Sequence, residues 1–123
     1  MIYACSYSLF FRNDSSFVTG SIDGSVSLWT EMKMTKTKKI FRSWVIVAFS
    51  NDSIFAVAKG GQIKQLDQEL NLTRSIGLTL NFEIRAFEVN ASFIGIGGRD
   101  KKITVYTNDG DEVLVSCLEK DVI

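Results

Sequence analysis

Residues 17–29, FVTGSIDGSVSLW, recur twice more in the same chain. Sliding the sequence by thirty-seven residues places them, without a gap, on residues 54–66, IFAVAKGGQIKQL. A further forty places them on residues 94–106, IGIGGRDKKITVY. Val26, Ile63 and Ile103 then coincide, as do the bulky groups Trp29, Leu66 and Tyr106. Asp23 meets Gly60 and Asp100, and Gly24 meets Gly61 and Lys101. Each copy reads as an apolar strand, a tight turn and a second apolar strand. Asp-Gly and Gly-Gly suit the turn because Gly accepts positive φ and Asp bonds to nearby backbone. Recurrence at a near-fixed spacing is a strong constraint on fold. One such unit cannot cover both of its own faces, so the copies must stack.

The recurrence extends on both sides. Upstream, Leu9-Phe10 aligns with Ile46-Val47 and with Ala86-Phe87, inside the runs YSLFF, WVIVAFS and EIRAFEV. A polar turn follows each run: Arg12 to Ser15, Ser50 to Asp52, and Asn90 to Ser92. Downstream, residues 39–41, 72–76 and 112–118 offer a weaker fourth strand. The pattern predicts an all-β chain of three four-stranded antiparallel blades, at residues 2–42, 43–80 and 81–119, forming one partial propeller domain over 1–123. The alternative is a small β-sandwich in which the repeats are accidental. Trp29, Leu66 and Tyr106 are expected on equivalent third strands, packed between sheets. Trp44, Phe10, Phe49, Phe55 and Phe87 are read as further inter-blade core.

Residues 17–29 resemble the second and third strands of a WD-repeat blade. Ser21, Asp23 and Trp29 match family positions that usually form a structural hydrogen-bond network. The family's histidine has no counterpart here, and no Trp-Asp pair closes a strand: Trp29 precedes Thr30, Leu66 precedes Asp67 and Tyr106 precedes Thr107. The order FVTGSIDGSVSLW, a lysine-rich connector ending KKIFRSW, and WVIVAF is similar to one subfamily. These are the WD-repeat subunits of box C/D small nucleolar ribonucleoproteins, which act in early small-subunit ribosomal RNA processing. The resemblance implies a non-enzymatic scaffold that presents loops and edges to other macromolecules, protein partners among them, in the nucleus or nucleolus.

Composition sets outer limits. The chain has 123 residues, 46% of them hydrophobic, which suffices for one packed domain. Fourteen basic residues balance fourteen acidic ones, so overall charge gives no argument for nucleic acid or anionic membrane. The absence of histidine excludes Ser-His-Asp and Cys-His machinery and the commonest metal ligand. Cys5 and Cys117 are read as reduced thiols rather than a bridge. No apolar run approaches the ~20 residues of a membrane span, and residues 1–11 lack the basic start of a signal peptide. These bounds predict an intracellular soluble protein.

Residues 31–42, EMKMTKTKKIFR, hold the clearest charge cluster: Lys33, Lys36, Lys38, Lys39 and Arg42 against one glutamate. Such a cluster attracts phosphate backbones through charge and counterion release, so RNA is a candidate partner. The plain reading is a solvated loop between the third and fourth strands of a blade. Gly95, Gly97 and Gly98 lack the dinucleotide-loop pattern and fit a crowded strand better. Asp109, Asp111 and Glu112 lack calcium-loop spacing and read as a hairpin turn. Asp23 and Asp100 read as turn residues rather than as an acid and base pair. No catalytic group, cofactor or metal is expected.

Two other functions stay open: a cytoplasmic protein–protein adaptor, and an enzyme built on a propeller. Closed propellers have about 4–8 blades, so three leave uncovered flanks. Leu9, Phe10 and Phe17 are expected on one flank and Val113, Val115 and Leu118 on the other. The chain is therefore expected to be a piece of a longer one, or to be completed by self-association.

Overall fold

The computed structural model describes residues 6–13, 15–50, 52–58, 60–78, 84–98 and 102–117. Among the described residues twelve strands form three four-stranded antiparallel sheets, each a meander in chain order. Blade 1 holds β1 (Ser6–Phe11), β2 (Ser16–Ser21), β3 (Ser25–Thr30) and β4 (Lys33–Lys39). Blade 2 holds β5 (Val45–Ser50), β6 (Ser53–Ala58), β7 (Gln62–Leu66) and β8 (Leu72–Gly77). Blade 3 holds β9 (Ile84–Val89), β10 (Phe93–Gly98), β11 (Lys102–Thr107) and β12 (Glu112–Cys117). Contacts of β5 with β1 and β9 place these first strands on the inner side of the array, and the three blades do not close a ring.

Side chains alternate across each sheet, so every blade has two faces. Val18, Val26 and Leu28 of blade 1 pack against Val45, Val47, Ile54, Ala56 and Leu66 of blade 2. The other face of blade 2, with Ala48, Phe55, Val57 and Ile63, packs against Ile84, Phe87, Ile94 and Ile96 of blade 3. Blade 2 is thus covered on both sides, and Ile54 through Ala58 are all buried. This explains why β6 reads as a continuous apolar run, whereas β4, on the outer edge, is exposed at every position but the half-buried Met34. Phe10 touches both cores, and Phe49 and Trp44 flank them.

Gly20 and Gly24 seat blade 1 on blade 2. A Cβ at Gly20 would lie 2.4 Å from the Val45 carbonyl oxygen, a place only glycine can occupy. Beside it the Ser8 hydroxyl donates to the Val45 carbonyl (3.1 Å) and accepts from the Val47 amide (3.0 Å), stitching β1 to β5. Gly24, at φ +90°, turns β2 into β3 while its carbonyl accepts from the Ile40 and Phe41 amides. The tight turn and the link to blade 2 therefore depend on one residue.

Three expectations need correction. The fourth strand of the first unit is Lys33–Lys39, not residues 39–41, so most of the lysine cluster is strand rather than loop. A two-residue turn at Glu31 and Met32, both at positive φ, allows β4 to begin this early. The upstream alignment is also one residue out. Leu9 pairs with Thr19, Val47 with Ala56 and Phe87 with Ile96, so Leu9 corresponds to Val47 and Phe87. The loops joining first and second strands differ in length, and a gapless slide cannot follow them. Finally, Phe10 turns toward blade 2 rather than to the free flank, and Val115 shares the Thr104 side of blade 3. Leu118, Asp100, Lys101 and Cys5 lie outside the described residues.

Candidate functional site

Part of the basic cluster lies where blade 1 meets blade 2. In β4, Lys36 and Lys38 pair with Leu28 and Val26 and so share the face turned toward blade 2. Lys39 pairs with Ser25 on the opposite face, and Lys33 closes the hairpin opposite Thr30. Arg42 follows on the connector between the blades. A groove of about 610 Å³ runs along this junction, lined by Lys39, Ile40, Arg42, Ser43, Gln62 and Lys64 among others. A smaller recess of about 150 Å³ continues it past Lys38 toward Leu70 and Leu72. Among the described residues no carboxylate lines either space.

Lys64 was not visible as a site residue in the sequence, where it is one lysine inside QIKQL. The fold turns it toward blade 1. Its Nζ donates to the Ile40 carbonyl at 3.2 Å and lies 4.9 Å from the Phe41 ring centroid. These contacts hold the ammonium group in place and leave further donors for a ligand. Phe41 itself is buried, so it supports Lys64 and offers no stacking surface. The groove can attract an anion through Lys38, Lys39, Arg42 and Lys64; Lys33 and Lys36 extend the positive strand beyond it.

The repeat positions serve the turn and the faces. Asp23 accepts from the Ser21 hydroxyl and from the Ser25 amide at 3.0 Å, while the Ser25 amide also reaches Ser21 Oγ at 3.2 Å. The Ser21 hydrogen bond, then those from Ser25, hold the Asp23 carboxyl below its usual range. This network is local to the turn, with Lys39 on the neighbouring strand adding a smaller favourable charge. Trp29 donates from its indole to Thr19 Oγ1 at 3.0 Å rather than to the Ser21–Asp23 pair. Leu66 is buried in the core between blades 1 and 2, and Tyr106 packs against the core between blades 2 and 3. Trp29 is half-buried on the free face of blade 1, stacked on Phe17 with centroids 5.6 Å apart.

Acidic side chains at two further turns make local contacts. Asp109 forms a salt bridge with Arg74 across the blade 2–blade 3 junction, beside a turn made by Gly110 at φ +95°. Asp67 accepts from the Asn71 and Glu69 amides, which keeps its carboxyl below the usual range. Among the described residues no three His, Cys, Asp or Glu side chains group as metal ligands.

The fold has solved counterparts. The computationally designed protein Ika4 superimposes with a TM-score of 0.77 at 18% identity, over 99% of this chain and 79% of that one. The designed protein Ika8 gives 0.70 at 20% identity, over 95% of this chain and 38% of that one. The β-propeller domain of Cps50 (Swd1) from Myceliophteria thermophila gives 0.71 at 15% identity, over 94% of this chain and 38% of that one. The chain thus has a propeller-like fold and spans well under half the length of the latter two. No family model and no curated protein matches the sequence.

Proposed function

We propose that this chain is a non-enzymatic, WD-repeat-like scaffold segment that holds RNA along the edge of blade 1. In its specific form it is a ribonucleoprotein subunit acting in ribosomal RNA processing, in the nucleus or nucleolus. The observation that carries the proposal is the basic groove: Lys38, Lys39, Arg42 and Lys64 line spaces to which no described carboxylate contributes. Phosphate groups bind such a row through charge and counterion release, without reading sequence. The propeller-like fold and the WD-like residues 17–29 support the scaffold half of the proposal; the ribosomal half rests on the sequence resemblance alone. A cytoplasmic protein–protein adaptor is the second reading, favoured by the exposed Leu9 and Phe11 on the free face.

Replacing Lys33, Lys36, Lys38 and Lys39 with Glu separates the two. All four side chains are exposed, so folding is expected to survive. Affinity for a single-stranded RNA is expected to fall at least ~10-fold, with a shallower salt dependence, since each lost phosphate contact removes about 0.7 from the slope. Unchanged RNA affinity and slope in the folded variant would sink the RNA reading and leave the adaptor.

A further inference from the structure

The two free faces of this chain differ in a way that fits one to the other. Leu9, Phe17 and Trp29 occupy the positions of Val47, Ile54 and Leu66 in blade 2, and of Phe87, Ile94 and Tyr106 in blade 3. In blades 2 and 3 that trio is packed against the preceding blade. In blade 1 no blade packs on it: Leu9 is 51% exposed, Phe17 and Trp29 are half-buried, and Phe11 beside Leu9 is 59% exposed. Phe11, Phe17 and Trp29 form a continuous aromatic row across three strands, with centroid spacings of 5.5 and 5.6 Å.

The centre of the free face of blade 3 is the opposite in size, between the exposed Phe93 and Leu114 on the same face. Positions filled by Val18 and Phe55 in the other blades are taken there by Gly95, and those filled by Gly20 and Val57 by Gly97. Together with Ala86 and Ile103 these glycines floor an apolar trough of about 230 Å³, with Glu88 at its edge. A space of ~150 Å³ accommodates a benzene ring, so the trough has room for an aromatic side chain. Close packing requires large groups on one face to meet small groups on the other. The largest preceding-side trio in this chain and the glycine-floored trough at the centre of the blade 3 face are thus a matched pair.

We infer that a second copy of this chain covers both faces, with the aromatic row of each copy seated in the glycine trough of the other. The junction repeats the geometry already present between blades 1 and 2 and between blades 2 and 3. Two copies would form a six-bladed ring, within the size range of closed propellers. The area suffices. A four-stranded face of six-residue strands measures about 20 Å by 19 Å, so two faces present roughly 760 Å² per copy, close to the ~800 Å² per partner of a stable interface. This pairing is independent of the RNA groove, which lies at the blade 1–blade 2 junction.

Sedimentation of the 123-residue chain across about two decades around micromolar concentration tests it. A single species of twice 13.8 kDa is expected. Gly95→Phe is the decisive variant. A Cβ there meets only the Glu88 carbonyl oxygen at 3.9 Å, so the isolated fold has room for a side chain that fills the trough. Its dimer is expected to be at least ~100-fold weaker. Phe11→Lys, on an exposed residue, attacks the same contact from the other side and serves if Gly95→Phe does not fold. A monomer throughout the range overturns the pairing, as does a ladder of open oligomers or a dimer indifferent to whichever folded variant is tested.

Discussion

Leu70 shows how a single residue can combine two opposing energies. It sits at φ +67°, a left-handed conformation that costs an ordinary side chain about 1–2 kcal/mol. In the β11–β12 turn Gly110 makes the equivalent hydrogen bond at φ +95° without that cost. Leu70 stays because its side chain is fully buried in the core between blades 1 and 2. The usual ranking of alanine over glycine should therefore reverse here. Leu70→Ala loses the packing and keeps the strain, a loss of about 2–5 kcal/mol. Leu70→Gly loses slightly more packing but relieves the strain, and is expected to be about 1 kcal/mol more stable than the alanine variant. Denaturant unfolding of the two side by side checks this; an alanine variant equal or superior to the glycine one would mean the turn is not strained.

Among the elements, β4 departs most from its sequence reading. Lysines and threonines with Met34 as the one apolar residue among them suggest a loop, yet the segment pairs along its length with β3. The Ser27 and Thr37 hydroxyls hydrogen-bond at 2.8 Å, and the Thr35 hydroxyl bonds to the Leu28 carbonyl at 3.3 Å. Charged side chains also suit an outer edge, because they discourage pairing with a stray strand. The weak point is the turn before it. Glu31 at φ 52° and Met32 at φ 65° take the conformation that Asn-Gly favours in a two-residue hairpin. The double change Glu31→Asn with Met32→Gly is expected to stabilise the chain by about 1 kcal/mol. Thermal melting measures it, and a fall in melting temperature would place the hairpin in another turn geometry.

In the whole molecule, the same repeat position has different weight according to its neighbours. Leu66, 1% exposed, has blade 1 over it, so Leu66→Ala is expected to cost about 2–5 kcal/mol at any protein concentration. Trp29 has one stacked ring and one hydrogen bond within its own sheet. In the dilute chain Trp29→Ala is expected to cost about 1–2 kcal/mol, less than the 3–5 kcal/mol of a fully buried aromatic. If a second copy covers the aromatic row, the Trp29→Ala effect grows with concentration, since association stabilises the folded state by mass action. Melting of both variants at two concentrations distinguishes the cases. A constant Trp29 effect alongside a constant Leu66 effect would argue that nothing docks on blade 1.

The sequence by itself determined the strands, most of the turns and their repetition, because these rest on short-range chemistry. Alternation of apolar groups, Asp-Gly at residues 23–24 and Gly-Gly at residues 60–61 act within a few residues of chain. Tertiary structure alone decided what each face meets. Trp29 and Leu66 are interchangeable in the repeat, and only the presence of a preceding blade buries one of them. Lys64 enters the basic groove because β7 packs beside the connector at residues 40–44, a contact twenty-four residues away along the chain. The one-residue shift of Leu9 against Val47 and Phe87 came from loops of unequal length, which move a strand's register without altering its composition. Period-two patterns specify that a side chain lies on one face or the other, and packing between distant segments specifies which face is covered.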